Sequence, residues 1–394
     1  METDEMDVEA RRVRAAEDVV ELASARGTAQ LDRLIRLARR LFDVSVATVT
    51  MLDRDTQWFL ARAGFDADAA PRTHSPCNAT IAEADTYVLE DLSTDARFAG
   101  HPMVAGDPHL RFYAGHPITT SGADRPVGTL CLLDEQARPF SDADRALLAE
   151  LAGWARDELT RSEELDRAAE VQRSLLPTSP PQVPGYEFAA RCRPARAVGG
   201  DFYDWYPTPG GIGFALGDVM GKGIGAAILM ATVRAALRTA ASSPDPAATV
   251  ATAATALEAD LGPTNTLVTL LHARLDPDRA RLRHVDAGHG LVLVLHADGT
   301  WTPSRGGGMP LGVLPQQTWD TVEVELAPGD LFVVVSDGVL DLLGDPLTGL
   351  EQVADLLRGA RSAQEVVRRV EALAAADDLG DDVTVQVVRR QEAG

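Results

Sequence analysis

Four places in the chain set an aspartate beside a glycine at the edge of an apolar run. "AVGGDFYD" puts Asp201 in a glycine-flanked turn, and "LGDVMGKGIGAA" puts Asp218 at the end of a strand. "VVVSDGV" ends another apolar run at Asp337, and "LGDDVTVQVV" sets Asp381 and Asp382 at the head of a third. Asp is disfavoured in strands, and an unpaired buried carboxylate is costly. One such residue can cap a turn, whereas several together call for shared cations. An all-oxygen donor set selects hard ions such as Mg²⁺ or Mn²⁺ over zinc. Gly217 and Gly221 would let the backbone bend so that the Val219 carbonyl also faces a metal. Two ions sharing a carboxylate lower the pKa of a bridging water and screen the charge of a phosphate monoester. In-line attack by that hydroxide is direct hydrolysis, with no phosphoenzyme.

Other phosphate chemistries fit less well. Gly221, Gly223 and Ala226 match the G-x-G-x-x-A dinucleotide fingerprint, but a second helix follows where the fingerprint needs a strand ending in an acid. A phosphate loop fails on spacing: three residues, not four, separate Gly217 from Gly221-Lys222, and Gly223 stands where Ser or Thr is required. The residues six places after Cys77, Cys131 and Cys192 are Glu83, Ala137 and Val198, so there is no cysteine-phosphatase loop.

The elements that must position the acids follow from periodicity. From about Tyr186, "YEFAARCRPA", "DFYDWYPT" and "GIGFALGDV" read as consecutive strands, followed by helices over 223–241 and 246–261. Further strands are "TLVTLLHARLD", "RLRHVDAG", "LVLVLHAD", "TVEVEL" and "DLFVVVSDG"; a helix around 362–377 leads to the last strand, "DVTVQVVRR". Hairpin strands with inserted helix pairs predict an α+β fold, two sheets packed together with helices outside. Upstream, residues 5–42 read as helix broken at Gly27; "VSVATVTMLD" and "TQWFLARAG" form a hairpin, and "PVGTLCLLD" is another strand. A helix starts after Ser141 as N-cap, with acids in its first turn. Stepping from Leu147 gives Leu151, Trp154, Glu158, Arg161, Leu165, Ala168, Gln172 and Leu175. That stripe suits either an interrupted coiled coil or a helix packed on its own domain. Pro177, Pro180, Pro181 and Pro184 then make a stiff linker.

Composition narrows the classes. A chain of 394 residues predicts two domains or more. A net charge of -22 argues against a nucleic-acid surface. Three cysteines without metal-ligand spacing suit a reducing compartment, and Cys77 reads as a small buried thiol. The charged start "METDEMDVEARRVR" and the lack of a long apolar run predict a cytoplasmic protein with no membrane partner.

"RAAEVQRSLLP", "AVGGDFYD", "GDVMGKGIGAA", "DAGHG", "GMPLGVLP", "SDGV" and "GDDVTVQVVRR" run in the order and spacing of the stage II sporulation protein E-type Ser/Thr phosphatases of the PPM class, so residues 168–390 resemble that family. The resemblance implies an α-β-β-α sandwich with two Mn²⁺ or Mg²⁺ ions. Asp218 would bridge them, the Val219 carbonyl would bind one, and Asp337 and Asp381 would hold the other. Asp201 would sit by the second ion or its water, which makes Asp201 and Asp218 the catalytic pair. Asp382, Gly217 and Gly221 would support them, with the order of Asp381 and Asp382 left open. His289 in "DAGHG" reads as a turn residue rather than a general acid. The implied substrate is a phosphorylated anti-sigma-factor antagonist. A non-catalytic phosphoprotein scaffold and a small-molecule phosphatase are the alternatives.

"VLEDLSTDARFAGHPMV", "LRFYAGHPI" and "PVGTLCLLDEQARPFSDAD" resemble a GAF domain, an antiparallel sheet with flanking helices that takes a small ligand or a partner. "SPCNATI" lacks the histidine usually found two residues after that cysteine, which weakens a pigment or metal role. The expected layout is a helical segment at 1–19, a GAF sensor domain at 20–160, a helical and Pro-rich linker at 161–184 and a phosphatase domain at 185–394. A homodimer transmitting a GAF signal through the 142–176 helix is the expected mode of control.

Overall fold

The computed structural model describes residues 2–26, 28–73, 75–121, 123–344, 348–376 and 379–392. Contacts divide the chain into two units, Met1–Glu164 and Leu165–Gly394.

The first unit opens with helices α1 (Glu2–Arg26) and α2 (Ala29–Leu41). Strands β1 (Val46–Leu52), β2 (Thr56–Ala63) and β3 (Ala69–Pro71) follow, then a short helix, α3 (Pro76–Thr80). Next come β4 (Tyr87–Leu89), α4 (Pro102–Ala105), β5 (Phe112–Ile118) and β6 (Gly128–Asp134). The sheet order is β3-β2-β1-β6-β5-β4, with every neighbouring pair antiparallel. Helix α5 (Asp142–Leu175) begins as the sequence predicts: the Asp144 N–H donates to the Ser141 hydroxyl at 3.2 Å. Up to Glu164 it belongs to the first unit. Its buried stripe there is Leu148, Leu151, Ala152, Ala155 and Leu159, which packs into the core of this unit. Trp154, on the stepped stripe, is 52% exposed instead. Of the two readings left open, packing on its own domain describes the buried face of this segment.

The second unit holds β7 (Tyr186–Arg193), β8 (Phe202–Thr208), β9 (Gly211–Val219), α6 (Ile224–Ala240), α7 (Pro246–Thr264), β10 (Val268–Asp276) and β11 (Arg281–Ala287). They are followed by β12 (Val292–Leu295), β13 (Trp301–Pro303), β14 (Val322–Val324), β15 (Leu331–Val335), α8 (Asp337–Leu343), α9 (Gly349–Leu357), α10 (Ala363–Ala375) and β16 (Val383–Arg390). Two five-stranded antiparallel sheets result, β14-β11-β10-β9-β8 and β13-β12-β15-β16-β7. The first predicted strand of this unit therefore leaves its two neighbours and joins the other sheet. Alternation along each strand explains the layering. Phe214 and Leu216 of β9 meet Phe332 and Val334 of β15 between the sheets, while Ala215 and Val219 face α6 and α7 outside. On the far side, Val333, Val335, Val385 and Val387 face α8, α9 and α10. This is the expected α-β-β-α sandwich. The proline-rich stretch belongs to it: Tyr203 Oη donates to the Pro177 carbonyl and Trp205 Nε1 to that of Ser179.

An ion-pair cluster anchors α6 to the sheet. Arg238 grips buried Asp204 through both carboxylate oxygens, at 2.6 and 2.7 Å, and Arg234 Nε stands 3.1 Å away. Asp204→Ala strands those guanidinium groups against the protein and should cost about 3–5 kcal/mol. The check is the unfolding midpoint of the second unit, expected to fall by about 10 °C.

Two histidines lie inside the same layers. His272 Nε2 pairs with Tyr206 Oη at 2.9 Å and His284 Nε2 with Ser304 Oγ at 2.8 Å. Burial, with Arg274 adding to it, holds His272 down at about 3, and burial holds His284 down at about 4. The unfolded chain binds those protons near 6.5, so the stability contribution is complete above that value and is lost as the pH falls towards 4. Denaturant titrations at pH 7.5 and 5 should show His284→Gln losing about 2 kcal/mol less than the parent on acidification.

Candidate metal centre

The predicted acids gather where the ends of β9, β15 and β16 meet the turn before β8. Asp218, next to last in β9, lies opposite Thr269 of β10. The 199–201 turn presses onto that strand end. A Cβ on Gly200 would stand 2.3 Å from the Val219 carbonyl oxygen and 3.3 Å from Asp218 Oδ1. Only glycine permits this approach. It brings Asp201, 2% exposed, to Asp218 with its Oδ2 unpartnered. Burial raises Asp201 well above the usual carboxylate range, and the Asp218 charge adds to that. Burial likewise lifts Asp218 to about 7, reinforced by Asp337, Asp381 and Asp382.

Asp337 is not the end of a strand. It is the first residue of α8, after Ser336, where the helix N-terminus favours a negative charge. Burial and the charge on Asp381 raise it. Ser336 Oγ ties this corner to β16, donating to the Asp382 carbonyl at 3.0 Å and accepting the Thr384 N–H at 2.8 Å.

The adjacent pair Asp381–Asp382 divides by orientation. Asp382 is 8% exposed, and its carboxylate accepts the N–H groups of Ala195 at 2.8 Å, Gly200 at 2.8 Å and Asp201 at 3.2 Å. Asp381 accepts the Asp382 N–H on Oδ1 and turns Oδ2 towards Lys222, whose ammonium is 3.0 Å away and donates to the Gly380 carbonyl at 2.7 Å.

The glycines differ from the sequence reading. Gly221, at φ +111, does turn the chain after Asp218. Gly217 does not bend it: it pairs with Phe202 across β8–β9, and a Cβ there would meet the Phe202 ring at 2.6 Å. Its role is room for that ring. His289 is a turn residue, with its backbone N–H on Asp286 Oδ1 at 2.7 Å. Sequence reasoning missed the contacts of Lys222 and Gln172. Gln172 donates to the Gly199 carbonyl at 2.7 Å and accepts the Gly199 N–H at 3.1 Å. A buried glutamine on a charged helix was the available signal, but its amide partner lies 27 residues ahead.

The residues fit a hard divalent cation. The donors are all oxygen, one buried carboxylate oxygen is orphaned, and a cation from Lys222 already leans on the cluster. Among the described residues no three acidic, histidine or cysteine side chains close into a ready cage, as expected of carboxylates that repel one another with only an ammonium nearby.

Residues 208–391 match the family model described as stage II sporulation protein E (SpoIIE), and residues 28–159 match the GAF domain model. The chain is 34% identical over 122 residues to the cyclic di-GMP phosphodiesterase PA2567 of Pseudomonas aeruginosa, covering 31% of this chain and 21% of that protein. It is 28% identical over 241 residues to the phosphoserine phosphatase RsbU of Bacillus subtilis, covering 58% of this chain and 70% of that protein. The SiaA-PP2C domain of Pseudomonas aeruginosa superposes with a TM-score of 0.50 at 26% identity, over 60% of this chain and 98% of that one. The chain thus carries a GAF domain over residues 28–159 and, over residues 208–391, a stage II sporulation protein E domain with the fold of the PP2C phosphatases.

Proposed function

We propose that the second unit is a phosphoserine/phosphothreonine protein phosphatase working with two Mn²⁺ or Mg²⁺ ions. The observation that carries this reading is the meeting of Asp201, Asp218, Asp337 and Asp381 with so little positive charge among them. In this reading Asp218 and the Val219 carbonyl are metal ligands, Asp337 and Asp381 hold the other ion, and Asp201 serves the second ion or its water. Bound ions would supply a hydroxide at neutral pH and screen the phosphoryl oxygens. Asp382 holds the 195–201 loop by three backbone N–H groups and so keeps Asp201 against Asp218. Loss of Gly200 would push that loop off the Val219 carbonyl.

The substrate proposed from the resemblance is a phosphorylated anti-sigma-factor antagonist, and the GAF domain is proposed as the sensor of a homodimer. Gln172 supports a link of this kind, because α5 thereby holds the Asp201 loop directly. The test is hydrolysis of p-nitrophenyl phosphate, phosphopeptides and phosphorylated metabolites by the full chain, with Mn²⁺ or with chelator. Metal-dependent turnover favouring phosphoserine or phosphothreonine peptides is the expected result. Turnover indifferent to chelator would remove the reading.

A further inference from the structure

The sequence treats Cys77 as a lone buried thiol, but the fold gives it a partner. Cys77 on α3 and Cys131 on β6 come together across the first unit with their sulfurs 3.5 Å apart. Both line a cavity of roughly 150 Å³, with Thr48, Leu92, Phe98 and Tyr113 among its walls. One water takes about 30 Å³, so this is room for several small molecules. Cys77 is 3% exposed and Cys131 not at all, yet exposed Met103 also lines the cavity.

The surroundings of the two thiols differ. Gln57 Nε2 donates to Cys77 Sγ at 3.4 Å, and Cys131 can donate its S–H to the same atom. Donors aimed at one sulfur favour its thiolate, the nucleophilic form. The hydrogen bond from Cys131 lowers the Cys77 thiol, against burial, and correspondingly holds Cys131 well above the ordinary thiol range.

We propose that Cys77 and Cys131 form a dithiol modification site that takes hydrogen peroxide in the cavity and closes to an intramolecular disulfide. The Cys77 thiolate attacks one peroxide oxygen, the O–O bond breaks, and hydroxide leaves, giving Cys77 sulfenic acid. The Cys131 sulfur then attacks the Cys77 sulfur, the S–O bond breaks, and water leaves with the Cys131 proton. Overall two thiols are oxidised by two electrons, and one peroxide is reduced to two waters. The bridge would staple α3 to β6 across the cavity.

The test uses the full chain, reduced and then exposed to hydrogen peroxide, denatured, alkylated with iodoacetamide and mapped by mass spectrometry. Cys192 is the internal control, because its sulfur lies 3.7 Å from the Asp201 carbonyl and not against a second thiol. The expected result is a linked pair of peptides containing Cys77 and Cys131, lighter by one hydrogen pair, formed about tenfold faster than Cys192 is lost. In Cys131→Ser, Cys77 should stop at the sulfenic acid and be captured by dimedone. Full alkylation of Cys77 and Cys131 after peroxide has oxidised exposed Met220 and Met309 would overturn the proposal. So would Cys77 bridged between two chains, or Cys131→Ser without a dimedone adduct.

Discussion

Asp218→Asn lowers metal-dependent turnover by about a thousandfold or more, the several kcal/mol that a Lewis-acid site supplies to such a reaction. The change keeps size and shape, so the β9–β10 pairing around Thr269 survives. What disappears is the charge at the point nearest Asp201 and the Val219 carbonyl. Stability separates loss of chemistry from loss of fold. Burial and neighbouring acids raise Asp218 above its unfolded value, so without metal its contribution is complete at low pH and is lost as the pH rises from about 4 through about 7. The Asn variant lacks this loss. Its metal-free melting point at pH 8 should match or exceed that of the parent, whereas addition of Mn²⁺ should raise only the parent's. A variant that melts early without metal, or one that keeps the Mn²⁺ shift, would contradict the role given to Asp218.

The second large effect belongs to Asp382→Ala, a loss of about 3–5 kcal/mol. Three backbone N–H groups, from Ala195, Gly200 and Asp201, lose their acceptor inside the protein. Equilibrium unfolding followed by a probe in the second unit checks the magnitude. Binding of Mn²⁺, measured calorimetrically on the folded fraction, should weaken in parallel, because the freed loop lets Asp201 drift from Asp218. Gly199→Ala should reproduce much of this from the other side, since its Cβ would stand 1.9 Å from Asp382 Oδ2. Near-parent stability in both variants would mean that the loop is held by something else, with Gln172 the next candidate.

The fold was legible where apolar periodicity is strong. "LFVVV", "VTLLHARLD" and "VTVQVVRR" could be little else than buried strands, and the helices after Gly223 and Pro244 carried their own boundaries. The sheet to which a strand belongs was not legible, because β7 bonds to β16, 190 to 204 residues later in the chain. Helices α8 and α9 are not legible: "SDGVLDLLG" looks like a strand running into a turn, and the hydroxyl of Ser336 gives no capping signal because it bonds to β16 rather than to the helix that follows. In the candidate site, aspartate type and glycine neighbours were readable from the chain. Which of Asp381 and Asp382 faces solvent was beyond local reasoning, since it depends on three amide donors from a distant turn. The reason for Gly217 was hidden too, because it lies in the ring of Phe202 across a strand pair.

The amide clamp of Asp382 also sets a timetable for synthesis. Its acceptor oxygens reach donors 181 to 187 residues earlier, and until β16 is in place β15 lacks its second neighbour and β7 has no strand to pair with in its sheet. A nascent chain that has exposed Asp201 and Asp218 to the cell still lacks the part that fixes their loop. That loop can therefore be fixed only after β16 leaves the ribosome, and a product cut short before it would lack both the clamp and a strand of its sheet.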